Sequence, residues 1–119
     1  MIWAWHTRPL ECETIRTYPF AASPDGALVA TVLDEACVEG TFSTVVRTRV
    51  EVGAVAAAGP RAPVLTVWET AMLRPAVLLS WTGPRMLDIG LVEPRSAELY
   101  QPTVRGLSVR VTTGALAGP

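Results

Sequence analysis

The chain has 119 residues, 50% of them apolar and 18% charged, with ten basic residues against eleven acidic ones. That length suits one domain with a real core, and the apolar fraction is too high for a disordered chain. A formal charge of −1 lacks the basic footprint of a nucleic-acid binder, and no apolar run reaches the ~18–20 residues of a membrane span.

All ten basic residues are arginine, lysine and asparagine are absent, and Gln101 is the only glutamine. A GC-rich genome explains this bias, and no arginine spacing asks for a selected chemistry. Valine, isoleucine and threonine make up about a quarter of the chain, which suits pleated sheet better than helix. Glycine and proline recur along the whole length, so short apolar runs alternate with turns, the pattern of an all-β domain.

Residues 1–10 carry Trp3 and Trp5, which share one face if the segment is extended. Two readings stand: an N-terminal arm or edge strand with both rings on the core, or the trimmed stub of a membrane anchor, since tryptophan is enriched where a membrane helix meets water. The segment is no signal peptide, having neither a basic start nor a long apolar stretch.

Glu13 to Phe20 reads as the first strand. Ser23-Pro24-Asp25-Gly26 is a turn, with proline presetting φ and glycine free to take positive φ. Ala27 to Val38 is a longer strand, apolar on both faces and so central, with Asp34-Glu35 as a bulge or bend. After Glu39-Gly40, Phe42 to Val52 alternates most clearly: Val46, Thr48, Val50 and Val52 point one way, and Arg47, Arg49 and Glu51 the other. Gly53 to Pro63 reads as a loop, Val64 to Trp68 as a strand and Glu69 to Pro75 as a loop. Ala76 to Trp81 pairs with Met86 to Val92 across Thr82-Gly83-Pro84-Arg85, with Leu87, Ile89 and Leu91 inward. Glu93 to Pro102 reads as irregular. Val104 to Thr112 closes the domain with Leu107, Val109 and Val111 inward, and residues 114–119 form a frayed tail. The expected fold is a single all-β domain over residues 1–119, an antiparallel meander of six or seven strands curling into a sandwich or partial barrel.

Cys12, then Ser23-Pro24-Asp25-Gly26, then Cys37, then Gly40-Thr41-Phe42-Ser43-Thr44-Val45 form a pattern that resembles a family of small uncharacterised bacterial extracytoplasmic domains carried behind an N-terminal membrane anchor. Leu79-Ser80-Trp81-Thr82-Gly83-Pro84-Arg85-Met86-Leu87-Asp88-Ile89 is similar to that family's tryptophan-containing hairpin. The resemblance spans about three-quarters of the chain. It departs where the family has Cys-Gly-Ala-Thr-Thr and this chain has Cys37-Val38-Glu39-Gly40-Thr41. Ser-Pro-Asp-Gly also recurs in β-propellers, but at ~40–50 residues per blade this chain is too short to close one. The resemblance implies an extracytoplasmic location and a Cys12–Cys37 disulfide, and it carries no activity. Such a bond closes a loop of about 26 residues, worth roughly 3.5 kcal/mol in the chain-entropy model. The alternative is two unrelated buried thiols.

Candidate chemistry is sparse. Two cysteines and one histidine cannot furnish the four ligands of a structural zinc site. His6, the only histidine, is the only candidate base for a nucleophilic pair, and it lies in the peripheral N-terminal segment. Asp34, Glu35 and Glu39 read as solvated loop charges, without the ligand spacing of a calcium loop. Arg47, Arg49, Arg105 and Arg110 would form one candidate binding face for an anionic partner if their two strands are neighbours. Trp68 and Trp81 read as core anchors, or as the lining of a peptide or sugar site if exposed. No phosphate loop, dinucleotide fingerprint or nucleophile elbow is present.

These observations lead to a non-enzymatic, cofactor-free extracytoplasmic module with a protein partner, no nucleic acid, and membrane contact only through an N-terminal anchor. The alternative is an intracellular or phage-type structural β protein that assembles through edge strands.

Overall fold

The computed structural model describes residues 11–39, 43–55, 61–68, 70, 76–92 and 97–113. Among the described residues there are nine strands: β1 Glu11–Thr17, β2 Ala21–Ala22, β3 Leu28–Glu39, β4 Ser43–Ala54, β5 Ala62–Trp68, β6 Val77–Gly83, β7 Met86–Leu91, β8 Ala97–Leu99 and β9 Ser108–Thr113. They build two sheets. The larger runs β1-β3-β4-β5-β8 with β2 also on β3, and the smaller runs β6-β7-β9. The two stack as an open sandwich and close no barrel. The N-terminal segment, including Trp3, Trp5 and His6, and the tail from Gly114 lie outside the described residues.

The meander holds for β3-β4-β5, where alternating side chains set the register. Beyond β5 it breaks. After β7 the chain crosses to the larger sheet, adds β8 against β5, and returns as β9 parallel to β7. Parallel neighbours need a crossover, and here the crossover passes through the opposite sheet. The segment read as irregular, Glu93 to Pro102, therefore contains a strand, and one pairing is not antiparallel.

The core lies between the sheets. Leu28, Ala30 and Val32 of β3, Val50 and Val52 of β4, and Leu65 and Val67 of β5 face Val77, Leu87, Ile89 and Leu91 of the smaller sheet. Val64 is also fully buried, because a register shift at Val50/Glu51 makes it an extra residue in β5 and turns it inward with its neighbour. Leu107 reaches the core from a turn just before β9, in which its N–H bonds Val104.

The Ser23–Gly26 turn forms as its residues dictate. Gly26 N–H bonds Ser23 carbonyl at 2.9 Å, and Gly26 has φ +74°. Ser23 Oγ donates to Asp25 Oδ1 at 2.7 Å and accepts Leu28 N–H at 3.0 Å, while Ala27 N–H also reaches Asp25 Oδ1. These bonds lower the Asp25 pKa, the Ser23 hydroxyl most, then Ala27 N–H and, more weakly, Arg85.

β3 itself runs straight through Asp34 and Glu35, pairing continuously with β4. The irregularity lies on the partner strand. Thr14 pairs with Glu35 and Arg16 with Asp34, so Ile15 is a bulge in β1. The extra residue reverses which face the following side chains take. Tyr18 thereby turns towards the core, its N–H bonding Val32.

Candidate functional site

Two polar arrays and one covalent bond distinguish the β1-β3-β4 end of the larger sheet. The first array continues the core face. Asp34 is 2% exposed, Thr48 1% and Thr70 6%. Tyr18 hydroxyl donates to Asp34 Oδ2 and Thr48 hydroxyl to Asp34 Oδ1, each at 2.7 Å, and the Thr48 and Thr70 hydroxyls lie 3.1 Å apart. Thr70 is held by its N–H on Val46 carbonyl. Both carboxylate oxygens thus have donors, the condition for burying a charge. Burial and then the bond to Asp34 push the Tyr18 phenol above its ordinary pKa.

The second array lies on the opposite, rear face of the same sheet. Register places Thr14, Glu35, Arg47 and Trp68 in one cross-strand row, and Thr17, Leu33, Arg49, Thr66 and Glu98 in the next. Arg47 Nε bonds Glu35 Oε1 at 2.8 Å, and its guanidinium lies 5.1 Å from the Trp68 ring centroid. Arg49 stands 3.7 Å from Glu35 and 3.5 Å from Glu51. Trp68 Nε1 donates to Glu98 Oε1 at 2.9 Å, and Tyr100 hydroxyl meets Thr66 Oγ1 at 3.0 Å. The row is a prearranged surface of guanidinium and aromatic planes, suited to recognition by stacking and hydrogen bonding. Its charges are already paired with one another.

Cys12 and Cys37 are directly opposite in the β1–β3 register, their Cα atoms 4.0 Å apart, and are disulfide-bonded. They and a Glu35 oxygen lie within 4.8 Å of one another. With the sulfurs joined and Glu35 engaged by Arg47, this group is a disulfide beside an ion pair rather than a thiolate metal site.

Several sequence expectations change here. Asp34 and Glu35 are not solvated loop charges. They sit mid-strand, Glu35 only 8% exposed, and each is buried because register brings its donors across the sheet. The Glu39 side chain lies outside the described residues. The four arginines do not share a face. Arg47 and Arg49 project from β4 of the larger sheet, Arg110 from β9 of the smaller sheet, where it pairs with Asp88 at 2.7 Å, and Arg105 occupies an exposed turn. The condition that β4 and β9 be neighbours is not met, since β9 pairs with β7. Trp68 and Trp81 are both half-buried, and Trp81 packs on the core with Nε1 on Ala21 carbonyl at 3.0 Å.

Tyr18, Glu98 and Tyr100 were not legible as site residues. The available signal for the last two was the period-two spacing of Glu98 and Tyr100 between Pro94 and Pro102. Nothing local in the sequence announced the bulge that redirects Tyr18.

No family model, curated protein or solved structure matches this chain.

Proposed function

We propose that this chain is an extracytoplasmic module that binds or braces another macromolecule and performs no catalysis of its own. The observation that carries this reading is the Cys12–Cys37 disulfide. Disulfides form and persist in oxidising compartments, and small domains outside the cytoplasm use them to supplement a limited core. The bond fastens β1, an edge strand whose side chains are mostly exposed, to the central strand. The rear-face patch of Arg47, Trp68, Glu98 and Tyr100, joined by the Arg47–Trp68 and Trp68–Glu98 contacts, is the surface we assign to the partner, because aromatic and arginine side chains recur as interface anchors.

A thiol count tests the compartment. The full chain is produced in an oxidising and in a reducing compartment, purified without reductant, denatured, alkylated and weighed intact. The expected result is no alkylated cysteine in the oxidised preparation and a stability loss of about 3.5 kcal/mol on reduction. Two alkylated cysteines in both preparations, with equal stability, would overturn it.

The second reading is an intracellular structural protein that assembles through sheet edges. The observation favouring it is the outer edge of β1, seven residues long at the border of the larger sheet. Reduced cysteines with concentration-dependent assembly abolished by a proline in β1 would select it.

A further inference from the structure

The two sulfurs of the Cys12–Cys37 bond are unequal. Cys37 is wholly buried on β3, which pairs with β1, β2 and β4. Cys12 is half-buried on β1, at the border of the larger sheet, and every other residue of that strand is exposed. No side chain of β1 belongs to the core between the sheets. The strand is held to β3 by its ladder, which is interrupted at Ile15, and by the disulfide. Just past its end the chain is fixed again. Tyr18 N–H bonds Val32 carbonyl at 2.9 Å, and Tyr18 hydroxyl bonds Asp34.

Thiol–disulfide exchange begins with a thiolate on one sulfur, and access decides which. Cys12 Sγ can be reached from the sheet border, whereas burial closes Cys37 Sγ. Attack at Cys12 makes Cys37 the leaving thiolate. A Glu35 oxygen lies within 4.8 Å of both sulfurs, and a bare carboxylate there would oppose the leaving charge. Arg47 holds that carboxylate at 2.8 Å and Arg49 stands at 3.7 Å, so the departing sulfur faces a neutralised group. An accessible cysteine beside one that stays in place to re-form the bond is the arrangement of reversible redox sites.

We infer that Cys12–Cys37 is a thiol–disulfide exchange site for a dithiol partner, and that its reduction releases β1 from an otherwise intact sandwich. A partner thiolate attacks Cys12 Sγ and forms a new S–S bond there. The Cys12–Cys37 bond breaks, and its electron pair leaves on Cys37 Sγ, which takes a proton. The partner's second thiolate then attacks the partner sulfur of the mixed disulfide and expels Cys12, which takes a proton in turn. Two electrons and two protons reach this chain, and the partner ends as its own disulfide. The partner has to be a dithiol. Cys37 stays opposite Cys12 and expels a monothiol by re-forming the bond, whereas a second thiol on the partner completes the transfer. Tyr18 limits the released segment to Glu11–Thr17.

The inference rests on the bond that also carries the compartment reading, and the two are separable. A chain that forms no disulfide overturns both. A chain that forms it and fails the following test overturns this inference alone. The full, oxidised chain is treated under native conditions with reduced thioredoxin as the dithiol probe. A thioredoxin whose resolving cysteine is replaced by serine traps the mixed disulfide for intact mass and peptide mapping, and the expected adduct is on Cys12. With unmodified thioredoxin, both cysteines should become alkylatable at least ~10-fold faster than with glutathione at equal thiol concentration. In hydrogen exchange the reduced chain should lose protection in Glu11–Thr17 and keep it in β4, β5 and β7. No adduct on the folded chain, an adduct on Cys37, equal rates with glutathione, a global loss of protection on reduction, or a β1 that stays protected would each overturn it.

Discussion

Thr48 has one hydroxyl proton, and Asp34 takes it. Both groups are almost wholly buried, so water cannot replace the bond if it is lost. Thr48→Val keeps the side-chain shape but leaves Asp34 Oδ1 without that donor. Leaving a buried acceptor unsatisfied costs about 1–3 kcal/mol. Urea denaturation should therefore show a lower midpoint with an unchanged slope. A midpoint equal to wild type would mean that Asp34 finds another donor. The rear face obeys the same logic. Glu35 depends on Arg47 at 2.8 Å, with Arg49 at 3.7 Å as the more distant partner. Alternation marked these arginines as one face of β4, whereas the acidic partners were legible only as charges. Their burial depends on what lies across the strand.

At the scale of the element, the Ser23–Gly26 turn is the most local structure in the chain. Its residues supply their own donors and acceptors within five positions, which is why the turn was readable from four letters. Its pH response follows from the Asp25 carboxylate, held below its ordinary value of 3.8 by Ser23 Oγ, Ala27 N–H and Arg85. A carboxylate depressed in the folded state stabilises above its unfolded pKa, and that contribution disappears as pH falls through the folded value. Asp25→Asn removes the charge and leaves an oxygen in place. Wild type should therefore melt higher than Asp25→Asn at pH ~6, and the difference should shrink as pH falls below the ordinary carboxylate value. A difference that stays constant across this range would assign the effect to shape rather than charge. β1 shows the contrary case. Its strand character was visible, but the Ile15 bulge was not, because the extra residue is specified by β3 pairing on both sides of it.

For the whole molecule, the sandwich depends on β3, which pairs with β1, β2 and β4 and contributes to the core. β1 buries little and is tied to β3 by hydrogen bonds and by Cys12–Cys37. The double variant Cys12→Ser, Cys37→Ser should lose about 3.5 kcal/mol of stability. In hydrogen exchange the β1 amides should lose protection first, while β3, β4 and β5 keep theirs. Equal protection of β1 with and without the bond would show that sheet pairing alone retains the strand.

Residue pattern by itself determined that the chain is an all-β domain, where most strands lie, which way β4 and β7 face, and how the chain turns at Ser23–Gly26. Each of these rests on period-two alternation or on interactions within a few residues. The tertiary structure decided the rest. The crossover through β8 separated Arg110 from Arg47 and Arg49, the bulge at Ile15 aimed Tyr18 at Asp34, and cross-strand register turned two apparent loop carboxylates into buried, paired ones. These are contacts between residues distant in sequence, set by the joint packing of two sheets, and no local window of the chain contains both partners.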